Sequence, residues 1–151
     1  MSSIRQGNFV VLDFETFYSN LYSLRLMSHE AYINDPRFQL MCCSVIDKLD
    51  GEWKSRVILI DSPYELERLQ RFLHKLNTPD TWFVAHNMAF DGYILYRKLG
   101  IIPYRPLCTI ALARWTGVSR YAGESLAKLS RHQGYEPKGS FLANMCGRWL
   151  S

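Results

Sequence analysis

Asp13 and Glu15 stand two residues apart at the end of a short apolar run, Asn8 to Phe14, that reads as a buried strand. A strand has a period of two, so both carboxylates point to the same face of the sheet. Two oxygen donors placed together can share a hard divalent cation such as Mg2+. A bare Asp-x-Glu is also an ordinary solvated strand end, and alone it identifies no site. A second constellation runs from His86 and Asn87 to Asp91. There a short strand, Trp82 to Ala85, gives way to a helix, and Asp91 falls in the first turn. Helix starts favour carboxylates through the dipole, and asparagine is a common cap, so this constellation too has a purely structural reading. The two places together weigh more than either alone, because strand ends of one sheet can converge on one edge.

The elements that must position these residues follow from pattern and punctuation. Ser28 caps a short helix through Asn34, ended by Asp35-Pro36, since the residue before proline avoids the helical region. Phe38 to Ile46 and Trp53 to Ile60 read as two strands joined by a turn with Asp50-Gly51, hence a hairpin. Ser62-Pro63-Tyr64-Glu65 is a helix start with serine, proline and glutamate each in its capping place. That helix runs to about Asn77 and buries Leu66, Leu69, Phe72, Leu73 and Leu76. A helix from Met88 to Leu99 stops at Gly100, and shorter helices cover Ile110 to Trp115 and Ser125 to Gln133. The order predicts an α/β fold with a mixed sheet and flanking helices, of which the RNase H-like architecture is one arrangement.

With 151 residues, 48% of them hydrophobic, and no repeat or linker, the chain reads as one domain, 1–151. No stretch reaches the length of a membrane span, which predicts a soluble, cytoplasmic protein. Cys42, Cys43, Cys108 and Cys146 lack zinc-site spacing and are expected as reduced thiols. Charge is polarised along the chain. Up to Tyr96 nine basic residues face twelve acidic ones, whereas from Arg97 onward nine basic residues face only Glu124 and Glu136. The second half could follow a phosphate backbone, although solvated helix faces would give the same count.

Asp13-Phe14-Glu15-Thr16 and His86-Asn87-x-x-Phe90-Asp91 resemble the first and second exonuclease motifs of the DEDD superfamily. Tyr22-Ser23-Leu24, Tyr32-Ile33-x-Asp35-Pro36-Arg37-Phe38, Leu112-Ala113-Arg114, Ser125-Leu126 and Lys138-Gly139 extend the likeness. Together they resemble the proofreading domain at the front of phage family A DNA polymerases, over nearly the whole chain. That resemblance implies an RNase H-like fold and metal-dependent 3'-5' hydrolysis of single-stranded DNA ends, in the cytoplasm of a phage's bacterial host. It implies Asp13, Glu15 and Asp91 as metal ligands for two ions, Mg2+ or Mn2+, about 4 Å apart. Asn87 would help place the terminal nucleotide, with Thr16 and Phe17 contacting its sugar or base; Phe17 could equally be core. His86 is expected to be structural.

The chain departs from the family in one large respect. The third motif, which brings the fourth carboxylate, is absent: no aspartate follows Asp91. His132 and Glu136 mimic its spacing, but Gly134 and Pro137 interrupt the helix that should hold them. Cys108-Thr109 stands where the family has Asp-Thr, and the chain stops at Ser151, before the expected final helix. Three readings stay open. One is a split or truncated enzyme completed by a polymerase chain or a second copy. Another is a catalytically silent module that binds nucleic acid, and the third is an interaction module that docks on a replication protein. A missing last helix predicts uncovered apolar surface, with Phe141, Leu142, Met145 and Trp149 as candidates.

Overall fold

The computed structural model describes residues 7–49 and 51–136. Five strands form one sheet in the order β3-β2-β1-β4-β5, where β1 is Asn8–Thr16, β2 Leu40–Leu49, β3 Glu52–Leu59, β4 Thr81–Ala85 and β5 Arg105–Cys108. β1 pairs antiparallel with β2 and parallel with β4, and β5 extends the parallel half. The predicted α/β class with a mixed sheet and flanking helices is what is found, so the C-terminal ends of β1, β4 and β5 lie along one edge. His86, Asn87, Asp13 and Glu15 all come from that edge.

One face of the sheet is packed. Val10, Leu12 and Phe14 of β1 lie beside Cys43, Val45 and Asp47 of β2 and Phe83 and Ala85 of β4, all buried. Three helices cover them: α1 (His29–Asn34) with Tyr32 and Ile33, α2 (Pro63–Leu76) with Leu69, Leu73 and Leu76, and α3 (Met88–Leu99) with Ile94, Leu95 and Leu99. The capping signals act as the sequence predicts. Ser62 Oγ accepts from Glu65 N–H, Ser28 Oγ from Ala31 N–H, and Gly100 ends α3 in the left-handed region at φ +65°.

The opposite face, which carries Asp13 and Glu15, is different. Register places Val11 beside Ile46, Asp13 beside Ser44 and Glu15 beside Cys42, then Ser44 beside Val57 and Cys42 beside Leu59. On that face Ile46, Trp53, Val57 and Leu59 are exposed, and Val57 is 64% so. An apolar sheet face needs a covering layer, and over β2 and β3 the described residues supply none. Phe141, Leu142, Met145 and Trp149 lie outside the described residues, as do Lys138-Gly139, Pro137 and Cys146.

Several boundaries and elements differ from the sequence reading. β2 starts at Leu40, not Phe38, because Phe38 N–H closes the turn after α1 on Asp35 O. β5 was not expected: Arg105-Pro106-Leu107-Cys108 is short and contains a proline, which an edge strand tolerates. A short α5 (Ser119–Ala122) intervenes between α4 (Thr109–Trp115) and α6 (Leu126–His132). α6 ends at His132, with Gly134 at φ +78° beyond it, so His132 and Glu136 do not share a helix. Cys43 and Cys108 are free thiols, and no disulfide joins the described cysteines. No helix among the described residues is long and apolar enough to cross a membrane.

Candidate functional site

The site is built where β1 ends and α3 begins. A register shift between Glu15 and Thr16 bends the end of β1 just past the two carboxylates. α3 starts at Met88, which puts Asp91 in its first turn, packed toward β1. Phe14 N–H donates to Asp91 Oδ1 at 3.2 Å, so the backbone between Asp13 and Glu15 is tied directly to Asp91. Asp91 is only 5% exposed. Burial pushes its carboxyl up to about 7; the Phe14 hydrogen bond works against the rise, and the charges of Asp13 and Glu15 add to it. The two β1 carboxylates and Asp91 therefore share one electrostatic environment.

All three donors are hard oxygens, the set that Mg2+ and Mn2+ accept. Among the described residues, however, no group of three or more His, Cys, Asp or Glu side chains converges at metal-binding spacing. The carboxylates are grouped without forming a closed cage. Behind them, burial and then the neighbouring Asp91 charge push the Cys43 thiol far up, so it stays a protonated core residue.

Asn87 is the residue before α3, but its side chain makes no capping bond; the helix start is closed instead by its carbonyl, which accepts from Phe90 N–H and Asp91 N–H. Thr16 and Phe17 follow the carboxylates into a knot of aromatic rings. Tyr32 OH donates to Phe17 O, the Thr16 hydroxyl lies 2.8 Å from Tyr32 OH, and Tyr22 stacks on Tyr32 with centroids 4.4 Å apart. Phe17 is 6% exposed and belongs to the core, so its ring offers little more than an edge to a ligand. A cavity of about 610 Å3 adjoins that edge and is lined also by Arg37 and Phe38. Asp35 grips Arg37 bidentately at 2.8 Å, which leaves that guanidinium little capacity for an anion.

His86 carries a structural load, as expected. One ring nitrogen, Nδ1, lies 2.8 Å from Thr109 Oγ1, and the other, Nε2, lies 2.9 Å from Glu124 O. Its carbonyl accepts from Ile110 N–H. The imidazole thus hangs the α4 to α6 lobe on the end of β4, directly beside Asn87. Sequence reasoning could not have found Glu124 here, because the partner is a backbone carbonyl 38 residues away.

The fold, with its β3-β2-β1-β4-β5 sheet, has counterparts among solved structures. Brucella melitensis NrnC superposes with a TM-score of 0.59 at 18% identity over 89% of this chain and 57% of its own. That protein is also known bound to pGG and with bound Mg2+. Trypanosoma brucei RNase D in complex with RNA U12 gives 0.57 at 14% identity, over 97% of this chain and 46% of its own. The Aedes aegypti Nibbler EXO domain gives 0.54 at 12%, over 97% and 66%. The fold is RNase H-like, of the exonuclease type. At these identities the likeness concerns the fold, and this chain spans about half to two thirds of the length of those neighbours. No protein-family model and no curated protein sequence matches the chain.

Proposed function

We propose that this chain is a metal-dependent 3'-5' exonuclease domain acting on single-stranded nucleic-acid ends. The observation that carries the reading is the hydrogen bond from the Asp13-to-Glu15 strand to Asp91, which gathers the candidate carboxylates at one strand edge of an exonuclease-type fold. Asp13, Glu15 and Asp91 would hold divalent ions, Mg2+ or Mn2+. When bound, such ions supply the charge that activates water and stabilises a leaving 3' oxygen. The protein's own residues then have positioning work. The Asn87 amide, which makes no capping bond, can meet the terminal nucleotide, and the Thr16 oxygen, fixed against Tyr32 OH, would be an acceptor for its sugar. Phe17 would act through its edge alone.

Deoxyribonucleotide preference, proofreading and a place beside a phage polymerase rest on the motif resemblance. The fold neighbours include complexes with RNA U12 and pGG, so ribonucleotide substrates belong in the same test. Three carboxylates offset the repulsion between two dications poorly, so full activity should need a fourth ligand beyond Asp13, Glu15 and Asp91. One observation favours a second reading, a catalytically silent nucleic-acid-binding module: the described carboxylates do not converge at metal-binding spacing.

The test is degradation of 5'-labelled single-stranded DNA and RNA by the purified chain with Mg2+ or Mn2+, beside Asp13→Ala and Asp91→Ala. Stepwise shortening from the 3' end that both variants abolish is the expected result, with Mn2+ the better ion. Equal turnover by wild type and variants would mark the cleavage as contamination. Retained strand binding with no cleavage under either ion would select the silent module.

A further inference from the structure

The α4 to α6 lobe presents a surface that its own packing does not explain. Trp115, Tyr121 and Tyr135 are 86%, 85% and 71% exposed, and none makes a ring-stacking or cation-π contact among the described residues. Leu112 and Leu126 of the same lobe are less exposed than these rings. In the same lobe Arg120, Lys128 and Arg131 are exposed, and none is ion-paired within the described residues. Of the two lobe carboxylates, Glu124 is occupied by Arg114 through two bonds of 2.7 Å, which leaves Glu136 as the one acid without a described cation partner. Trp, Tyr and Arg also occur at protein-protein interfaces, but lysine is depleted there, whereas single-stranded nucleic acid asks for the whole mixture: flat rings for the bases and cations of both kinds for the phosphates. The lobe is also fixed in place relative to the candidate site, since His86 bonds Thr109 at the start of α4 and the Glu124 carbonyl before α6.

We propose that the lobe is a binding platform for a single strand. Bases stack on Trp115, Tyr121 and Tyr135, and Arg120, Lys128 and Arg131 face the phosphates. The strand is thereby held upstream of the end that reaches Asp13, Glu15 and Asp91. This rests on the exonuclease reading only for its direction; the platform itself needs no cleavage.

Fluorescence anisotropy of the full chain with labelled oligo-dT and oligo-U of 4, 8 and 12 nucleotides, in EDTA, tests it separately from catalysis. Affinity should rise from 4 to 12 nucleotides and fall with salt. Trp115→Ala and Tyr121→Ala should each weaken the 12-mer by about five- to a hundredfold, the range that stacking one base on one ring supplies. Arg120→Ala and Arg131→Ala should each flatten the salt dependence by roughly one phosphate contact. Trp53→Ala, an exposed ring on β3 far along the sheet order, should bind as wild type does. Melting by circular dichroism confirms that each variant is folded. The platform is overturned if the wild-type chain fails to bind, if the Trp115/Tyr121/Tyr135 triple alanine variant binds within twofold of wild type, or if Trp53→Ala weakens binding as much as Trp115→Ala.

Discussion

Phe14 N–H and Asp91 Oδ1 meet at 3.2 Å across 77 residues of sequence, joining the C-terminal part of β1 to the first turn of α3. This bond does two things at once. It closes the α3 side of the core over β1, and it holds a carboxylate where Asp13 and Glu15 raise its proton affinity. Stability and the proposed chemistry therefore meet at one group.

The first prediction is a pH dependence of the metal-free fold. Asp91 is raised from 3.8 to about 7, so its protonated form is favoured in the folded state. The associated stability is complete below about pH 3.8 and is lost as pH climbs through 7, with a ceiling on the order of 4 kcal/mol. Asp91→Asn keeps an oxygen to accept from Phe14 N–H and does not titrate. In EDTA the variant should exceed wild type by urea denaturation, with a margin that grows by about 2–3 kcal/mol from pH 5 to pH 8. Added Mg2+ should reverse the order at pH 8, because only the carboxylate holds the ion. Parallel curves for the two proteins across this range would show that Asp91 does not titrate as described.

A second prediction follows for metal affinity. Binding must displace the Asp91 proton, so affinity for Mn2+ should fall as pH drops below about 7, by up to tenfold per pH unit. Isothermal titration at pH 6 and pH 8 measures it, with the released proton visible as a buffer-dependent enthalpy. Equal affinity at both values would remove Asp91 from the ligand set.

Asn87 separates a structural role from a functional one. A capping asparagine contributes about 1 kcal/mol through its side chain, but here the side chain makes no capping bond. Asn87→Ala should therefore melt close to wild type while losing at least about tenfold in cleavage or strand binding. A clear loss of stability with cleavage unchanged would return Asn87 to ordinary capping.

His86→Ala tests the strut between β4 and the lobe. It removes the bonds to Thr109 Oγ1 and the Glu124 carbonyl, each worth about 0.5–1.5 kcal/mol. The loss should appear first as faster amide exchange in α4 to α6, with β1 and β2 still protected. Uniform loosening of the whole sheet would mean the strut is not local.

What the sequence made legible was set by how local the signals are. β1, β4 and α3 were placed from short apolar runs and a stopping glycine, and α2 from a serine, proline and glutamate start. Since Asp13, Glu15, Asn87 and Asp91 sit at the ends of those elements, their meeting at one edge was legible too. The RNase H-like class held for the same reason. β5 was hidden because a four-residue edge strand with proline has no period to read. Phe17 was ambiguous because an aromatic after a strand end looks alike whether it faces a ligand or Tyr22, and the fold puts it in the core. The Glu124 carbonyl that meets His86 and the Phe14 N–H that meets Asp91 were invisible, because backbone groups carry no sequence signature.

The open sheet face supports the last prediction. Among the described residues an apolar patch lies open on β2 and β3: Ile46, Trp53, Val57 and Leu59 are exposed on the face that bears Asp13 and Glu15. β3 is also an edge strand, so both its flat face and its free backbone groups invite another polypeptide. The chain should self-associate in sedimentation velocity at tens of micromolar, on the order expected for a modest apolar patch. Val57→Lys should shift it toward monomer with little change in melting temperature, since Val57 is 64% exposed and contributes little to the core. If a second copy also completed the site, cleavage per chain would rise with protein concentration in wild type and stay flat in Val57→Lys. A chain that remains monomeric at the highest concentrations would mean that this face does not pair copies of the chain.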